Sequence, residues 1–213
     1  MPEILIVTLL VILALLSKPG LITKNLLSGT SLTTMQSLIH QRGVVSILML
    51  AVIAQPIIKQ PFWLDMTPGS SLSLVLIVLL VPPLSFLLVR LDQNSEPHAI
   101  YTGLQIGTPQ WTVYMISTSV YMVAYEILLR GILLHYLTEW IGIILAIGIN
   151  ALIYGAMHLV KGLREAILCV PLGVFLCWIT LYTKSVWPAA ILHLIMALCF
   201  ELFYNAKRTH VNV

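Results

Sequence analysis

The residues of this sequence that could do chemistry are a carboxylate, a guanidinium and two imidazoles, all inside strongly apolar runs. Glu126 and Arg130 are four residues apart, so in a helix they share a face and can form an ion pair. His158 and His193 lie in two later apolar runs. A carboxylate beside imidazoles can transfer protons and stabilise developing negative charge. If helices bring these four side chains together, they form a candidate catalytic site.

Each of these residues also has a purely structural interpretation. Glu126 and Arg130 can be an intramembrane ion pair that fixes helix packing, and a single histidine in a helical bundle is commonly a hydrogen-bonded packing residue. Glu201 shares a helical face with His193, but near the end of its run it is expected to reach the membrane interface. Only the coincidence of these groups on neighbouring helices favours a functional centre.

The composition excludes most classes of soluble protein. Of the 213 residues, 59% are hydrophobic and only 9% are charged, and the mean hydropathy is +0.99. Soluble domains contain about 25% charged residues. A soluble enzyme, a nucleic-acid-binding module and a disordered tail are therefore excluded, and the net charge of +3 bears on membrane orientation. We expect an integral membrane protein that contacts lipids and binds no nucleic acid.

The apolar runs predict an all-α, polytopic integral membrane helical bundle with about seven transmembrane helices. A bilayer core of about 30 Å needs about 20 helical residues, and helices satisfy their own backbone hydrogen bonds there. Pro82 and Pro83 interrupt the third run and predict a kink, and amphipathic residues at 32–39 predict a short interfacial helix. The seven predicted helices are at about 4–17, 43–58, 71–89, 111–135, 141–160, 165–183 and 187–206.

Orientation and domain organisation follow from these runs. With seven spans, eight Lys and Arg residues fall on one side and two on the other, which places the C-terminus in the cytoplasm and the N-terminus outside. The chain is predicted to be one membrane domain with N-terminal membrane helices at 1–110, a helical core at 111–206 and a short cytoplasmic tail at 207–213. No transit peptide is recognised, which favours a bacterial plasma membrane.

Three of the predicted helices carry polar stripes that can face one another. Asn150, Tyr154 and His158 repeat every four residues, so one face of the fifth helix is polar. With the polar faces of the fourth and seventh helices, this stripe predicts a buried polar centre, because placing such groups against lipid is too costly. His158 and His193 lie next to loops on opposite sides of the membrane, however. A shared site therefore requires the fifth helix to end below the membrane surface.

Three short motifs resemble those of one membrane protein family. The segment 125–131, YEILLRG, resembles the E-E-x-x-x-R-G motif of the CPBP family, which comprises CAAX prenyl endopeptidases and bacteriocin-processing (Abi) proteins. The segment 154–158, YGAMH, is similar to its second motif, an aromatic residue four positions before a histidine. The segment 183–193, TKSVWPAAILH, is similar to the run that leads to its third motif. Order and spacing agree over residues 111–204, which implies a CPBP-like helical core.

The resemblance implies the chemistry of an intramembrane glutamate protease. In such enzymes the first glutamate of the motif and the second-motif histidine are thought to activate a water molecule. The third-motif histidine and an asparagine four residues later stabilise the oxyanion. This sequence departs from the pattern at two positions: Tyr125 replaces the first glutamate, and Ala197 replaces the asparagine. The retained positions, which form the candidate catalytic set of a degenerate site, are Glu126, Arg130, His158 and His193.

Three functions are compatible with this pattern. The leading hypothesis is a proteolytically inactive CPBP-fold protein that serves as a structural or regulatory subunit of a membrane complex, with other membrane-protein subunits as partners. The alternative is an active peptidase that cleaves prenylated or leader peptides. A minor alternative uses His158 or His193 as the axial ligand of haem or chlorophyll. Otherwise no cofactor and no metal are expected: one Glu and two His could bind zinc, but the family chemistry does not need it and His-x-x-x-Glu spacing is absent. Cys169, Cys177 and Cys199 lack metal-ligand spacing and are expected to be buried free thiols.

Overall fold

The computed structural model describes residue 46 and residues 68–91, 108–159 and 163–209. Within these ranges all regular structure is helical. The five helices of this part are α1 (Pro68–Leu91), α2 (Pro109–Ile141), α3 (Ile143–Met157), α4 (Leu163–Thr183) and α5 (Trp187–Thr209).

The five later predicted helices are confirmed as helices, with ends that differ by a few residues. The three earlier predictions, at about 4–17, 32–39 and 43–58, lie outside the described residues except for Ser46, which is helical and buried. Among the described helices, α2 and α4 are long and apolar enough to cross a bilayer, and α1, α3 and α5 have shorter apolar stretches. The all-helical class is therefore confirmed for this part of the chain, and the number of seven spans stays a prediction.

The ends of α2 are decided by local backbone chemistry. Thr108 precedes the helix in an extended conformation, and its hydroxyl oxygen accepts a hydrogen bond from the Trp111 backbone N–H (3.3 Å). Pro109 occupies the first turn, where a missing N–H is harmless. Gly142 ends the helix with a φ of +83°, which residues with a Cβ rarely adopt. The helix predicted to end at 135 therefore continues to Ile141, because the glycine stops it and the preceding polar residues do not.

α2 contains a wide turn at its buried centre. From Ile127 to Leu133 the backbone is a π-helix, and all seven residues are buried. The Asn150 side-chain N–H donates to the Leu129 carbonyl oxygen over 2.8 Å, so α3 is fixed to this turn. π-Helical turns are frequent at functional sites. Glu126 directly precedes this turn.

α3 and α4 pack closely because two glycines face the neighbouring helix. A Cβ atom added to Gly155 of α3 would lie 2.6 Å from the Val170 side chain and 2.9 Å from the Ala166 carbonyl oxygen of α4. A Cβ atom added to Gly173 of α4 would lie 3.0 Å from the Ala151 Cα atom of α3. Only a residue without a Cβ permits this approach, which brings the end of α3 against the start of α4.

α5 packs against α1, α2 and α4. Between α1 and α5 the rings of Phe86 and Phe203 meet edge to face, with their centroids 5.3 Å apart. Two residues earlier on α5, Glu201 accepts a hydrogen bond from the Tyr114 hydroxyl of α2 (2.7 Å). This carboxylate is half-buried and connects two helices, and its expected place at the membrane interface stays a prediction.

The outer surface of the described helices is strongly apolar. Large hydrophobic side chains are exposed on α1, α3 and α4, among them Leu79 (64%), Ile144 (84%) and Trp178 (51%). Soluble proteins rarely expose apolar surface of this extent, whereas a bilayer solvates it and disfavours unpaired polar groups there. α1 is helical throughout, including Pro82 and Pro83, and the kink at these residues stays a prediction. The described helices are thus largely apolar outside and bury Glu126, Arg130, Asn150 and His193 inside.

Candidate functional site

Glu126 lies at the centre of a buried polar cluster. It is the last α-helical residue before the π-helical turn of α2, and it is fully buried. Its Oε1 atom accepts hydrogen bonds from Arg130 Nη1 (3.0 Å) and from His193 Nδ1 (2.6 Å). The carboxylate and the guanidinium are both shielded from the surface. Each therefore compensates the charge of the other where an unpaired charge would be costly.

His193 connects α5 to two other helices through its ring nitrogens. Nδ1 donates to the Glu126 carboxylate, which can only accept, so the neutral imidazole keeps its lone pair on Nε2. The Tyr154 hydroxyl of α3 lies 3.2 Å from Nε2 and donates to it. The result is a chain of carboxylate, imidazole and phenol that joins α2, α5 and α3.

Tyr154 is surrounded by the other retained residues of the motifs. The guanidinium carbon of Arg130 lies 4.6 Å from the centre of the Tyr154 ring, a cation–π contact. The ring of His158 is 4.7 Å from the same ring, centroid to centroid, and His158 Nδ1 donates to the Tyr154 backbone carbonyl over 3.0 Å. The aromatic residue of the second motif thus holds both its own histidine and the histidine of the third motif.

The imidazoles of His158 and His193 are close together, with ring centroids 6.5 Å apart. The separation in depth that the sequence suggested does not keep them apart. α3 has only 15 residues and ends at Met157, with His158 as its cap. Its length is about 22 Å, shorter than a bilayer core of about 30 Å. A helix this short can end at the level of the first turns of α5.

Tyr125 occupies the same centre as Glu126, although the two are adjacent in sequence. Its buried ring lies 5.9 Å from the His193 ring and 6.2 Å from the Tyr154 ring, between centroids. Adjacent residues of a helix point about 100° apart, yet both of these side chains reach His193. The other substituted position, Ala197, follows His193 by one turn of α5 and is half-buried. A phenol and a methyl group therefore occupy the positions at which the CPBP motifs that this sequence resembles have a carboxylate and an amide.

Several buried polar atoms of this centre have no hydrogen-bond partner within the described residues. They are the Tyr125 hydroxyl, Glu126 Oε2, and Nε and Nη2 of Arg130. Leaving such an atom unsatisfied costs about 1–3 kcal/mol. A water molecule or a polar group of a bound molecule would therefore be stabilised here, and the centre keeps the capacity to hold one.

Asn150 connects three helices near this centre through its side-chain amide. Besides donating to Leu129, it accepts a weak hydrogen bond from the Cys177 thiol (3.3 Å) through Oδ1. All three cysteines are free thiols, as expected; Cys169 and Cys177 are buried and Cys199 is half-buried. The four-residue spacing of the stripe indicated the shared face but not these partners.

The histidine environments bear on the hypothesis of a haem or chlorophyll ligand. Both ring nitrogens of His193 take part in hydrogen bonds, to Glu126 and to Tyr154. His193 would have to give up one of these bonds to bind iron or magnesium. His158, which is half-buried at the end of α3, is the better placed of the two, and a tetrapyrrole ligand stays a prediction.

Comparison with known proteins agrees with the motifs. The family model described as "Type II CAAX prenyl endopeptidase Rce1-like" matches residues 107–199, less than half of the chain. No curated protein and no solved structure matches the chain. The matched stretch contains the four retained motif residues as well as Tyr125 and Ala197. Residues 107–199 of this chain are therefore similar to the Rce1-like type II CAAX prenyl endopeptidases, a similarity that is consistent with the CPBP motifs of the sequence.

Proposed function

We propose that the protein is a proteolytically inactive CPBP-type membrane protein that acts as a structural or regulatory subunit of a membrane complex. The observation that carries this proposal is the environment of His193. Its Nδ1 lies 2.6 Å from Glu126 Oε1, and its Nε2 lies 3.2 Å from the Tyr154 hydroxyl. Both nitrogens are used to hold helices together, so the third-motif histidine serves the fold.

The substitutions remove the groups on which the family chemistry depends. Tyr125 offers a phenol, with an ordinary pKa of about 10, in place of a carboxylate base. Ala197 has no hydrogen-bond donor in its side chain. Loss of an oxyanion donor typically costs about 100–1,000-fold in rate, and loss of a general base about 100–10,000-fold. The two losses together leave little peptide hydrolysis for the retained residues to support.

The hydrogen bonds of His193 add a third obstacle to catalysis. An imidazole stabilises an oxyanion by donating a hydrogen bond. In the neutral tautomer described above, Nε2 accepts from the Tyr154 hydroxyl and has no proton to donate. Glu126 is likewise engaged by Arg130 and His193 through the same oxygen atom. Retention of these residues is explained by the bonds that they make between α2, α3 and α5.

A rigid polar centre inside an apolar exterior suits a protein whose function is to contact other helices. We expect its partners to be other membrane-protein subunits and the surrounding lipids, and no cofactor is needed for this role. Stoichiometric co-purification of a membrane partner from native membranes is the expected result. Isolation of the full chain as a monodisperse monomer without any partner would contradict the subunit role.

The inactivity is tested by restoring the family residues. The parent chain and the double variant Tyr125→Glu with Ala197→Asn are assayed in detergent against prenylated and leader peptides. We expect no cleavage by the parent and measurable cleavage by the double variant. The control adds His158→Ala to the double variant and should abolish the gain. Cleavage by the parent chain that His193→Ala removes would overturn the proposal.

A second candidate function is an active peptidase with altered machinery, and one observation favours it. The 2.6 Å bond between Glu126 Oε1 and His193 Nδ1 is the arrangement by which a carboxylate orients a histidine base in acyl-transfer enzymes. In that case the parent chain cleaves, and both Glu126→Gln and His193→Ala reduce turnover more than they reduce the amount of folded protein. The same peptide assay therefore separates the two functions.

We further propose that the protein lies in a bacterial plasma membrane with its N-terminus outside and its C-terminus in the cytoplasm. The excess of Lys and Arg on one side of the predicted spans supports this orientation. A fluorescent protein fused after Val213 should fluoresce, and alkaline phosphatase fused at the same place should be inactive. The reverse pattern would show that the C-terminus is outside.

A further inference from the structure

A second cluster of chemically reactive side chains lies where the end of α3 meets the start of α4. A ring nitrogen of His158, a carboxylate oxygen of Glu165 and the Cys169 sulfur all lie within 4.8 Å of one another. His158 and Glu165 are half-buried, and Cys169 is buried. Glu165 and Cys169 are four residues apart on α4, so they share a face of that helix. Three different metal-binding groups therefore converge from two helices.

The hydrogen bonding of His158 prepares it to bind a metal ion. Its Nδ1 lies 3.0 Å from the Tyr154 backbone carbonyl oxygen, which can only accept, so the proton is on Nδ1. This tautomer leaves the lone pair on Nε2. Histidine ligands in metalloproteins almost always donate their other ring N–H to a carboxylate or a backbone carbonyl, which fixes the ring orientation. His158 already has that outer partner.

The backbone around the cluster is held in place by the close approach at Gly155. A Cβ atom there would meet Val170 and Ala166 at 2.6 and 2.9 Å. These two residues directly follow Cys169 and Glu165 in the sequence. The helix contact that brings α3 against α4 is therefore the same contact that brings His158 to the two ligands on α4. Such support from the scaffold is what keeps a small metal site at a defined geometry.

We propose that His158, Glu165 and Cys169 bind a divalent transition metal ion, with Zn²⁺ as the ion that suits them best. Zinc accepts thiolate, imidazole and carboxylate ligands at about 2.0–2.3 Å in tetrahedral geometry. Those bond lengths require the ligand atoms to lie about 3.3–3.8 Å apart. Side-chain rotations that move the ligand atoms by about 1 Å would complete the site. Cys169 loses its thiol proton to the solvent on binding. Water fills the fourth position.

The site has consequences that do not depend on whether the protein cleaves peptides. A bound ion connects the last residues of α3 to the first turns of α4 and stabilises this helix pair. It also places His158 in a coordination shell, where its imidazole cannot act as a base, so the restoration experiment is carried out on protein stripped of metal with a chelator. The sequence does not indicate this site, because Cys169 is 11 residues from His158 and the spacing of the three residues matches no recognised zinc motif.

The test is a direct measurement of zinc on the full chain, purified in detergent without a polyhistidine tag. The protein is stripped with a chelator, equilibrated with Zn²⁺, separated from unbound ion by gel filtration and analysed by mass spectrometry of the metal. We expect about one zinc ion per chain, the ratio for a single site. Loss of an outer-shell partner typically weakens metal binding by about 10–100-fold. Cys169→Ser and Glu165→Gln each remove a direct ligand and should weaken zinc binding by at least that factor. The matched controls, Cys199→Ser and Glu139→Gln, should bind as the parent does.

Cobalt provides a measurement that does not rely on a variant that folds. The parent protein loaded with Co²⁺ should show a thiolate-to-cobalt charge-transfer band and the visible bands of a tetrahedral ion, and Cys199→Ser should keep both. The proposal is overturned if the parent binds no zinc above background, or if Cys169→Ser binds as much as the parent. It is also overturned if the cobalt spectrum lacks the thiolate band. Peptidase activity enters none of these measurements, so their outcome is separate from that of the restoration experiment.

Discussion

Glu126 and His193 are 67 positions apart in the chain, and the Glu126 Oε1 and His193 Nδ1 atoms are 2.6 Å apart in the structure. The same carboxylate oxygen accepts a hydrogen bond from Arg130. One buried anion therefore holds a cation on its own helix and an imidazole on another. This arrangement connects α2 to α5 at the level of the π-helical turn, and removal of the anion has consequences that can be measured.

Glu126→Gln should destabilise the fold strongly. Glutamine keeps the size of the side chain but leaves the Arg130 guanidinium buried without a counter-charge, which costs about 3–5 kcal/mol. The free energy of unfolding in detergent measures this loss. The matched control is Glu139→Gln, because Glu139 pairs with His135 at an exposed site and should change the stability by less than about 0.5 kcal/mol.

A double variant separates the charge from the packing in the same experiment. Glu126→Gln with Arg130→Met removes both charges and keeps comparable volume, so it should recover much of the stability lost in the single variant. Equal instability of the single and double variants would show that the hydrogen bond to His193, and not charge compensation, is the main contribution of Glu126.

Gly155→Ala should push α3 and α4 apart at their closest point. The new methyl group would lie 2.6 Å from the Val170 side chain and 2.9 Å from the Ala166 carbonyl oxygen, and overpacking of this kind costs about 1–3 kcal/mol. Gly148→Ala on the same helix is the matched control, since a Cβ there meets nothing within 4 Å. Alanine at 148 should leave the stability unchanged or raise it by up to about 1 kcal/mol. Equal effects of the two substitutions would contradict the close helix contact.

Tyr154→Phe should weaken the connection between α3 and α5. The phenylalanine ring fills the same space but leaves Nε2 of His193 without its donor, which costs about 1–3 kcal/mol for a buried acceptor. Tyr182→Phe is the control, because the Tyr182 side chain is 70% exposed and its hydroxyl can bind solvent or headgroups. If the two substitutions lower the free energy of unfolding by the same amount, the hydroxyl of Tyr154 does not donate to His193.

Val174→Asp should impair membrane insertion of α4. Val174 lies near the middle of the helix and is 42% exposed. An aspartate at the centre of a membrane helix costs about 2.5–3.5 kcal/mol. Leu163→Asp at the start of the same helix, 67% exposed, should be tolerated because its carboxylate can reach the interface. The yield of membrane-integrated, monodisperse protein distinguishes them. Similar yields for the two would place the middle of α4 outside the hydrocarbon core.

The helices were largely predictable, because apolar runs bounded by turn residues determine where helices form in a membrane protein. α4, predicted at 165–183, is observed at Leu163–Thr183. The end of α2 was predicted at residue 135, where polar residues begin. The helix continues past them and ends at Gly142, because the backbone takes a positive φ there. The π-helical turn at Ile127–Leu133 has no signature in hydrophobic periodicity, and neither does the convergence of Tyr125 and Glu126 on His193.

The sequence alone determined the apolar composition, the resemblance of residues 125–193 to the CPBP motifs, and the replacement of two family residues by Tyr125 and Ala197. These are properties of residue type and order, which need no coordinates. The tertiary structure decided that each nitrogen of His193 has a different partner, and that His158 lies near Glu165 and Cys169. Such contacts depend on how closely α3 and α4 approach and where each helix ends. The physical reason is that hydrogen bonds and metal coordination require side-chain atoms of different helices to lie within a few ångströms of one another. The spacing of residues along one helix does not determine these distances between helices.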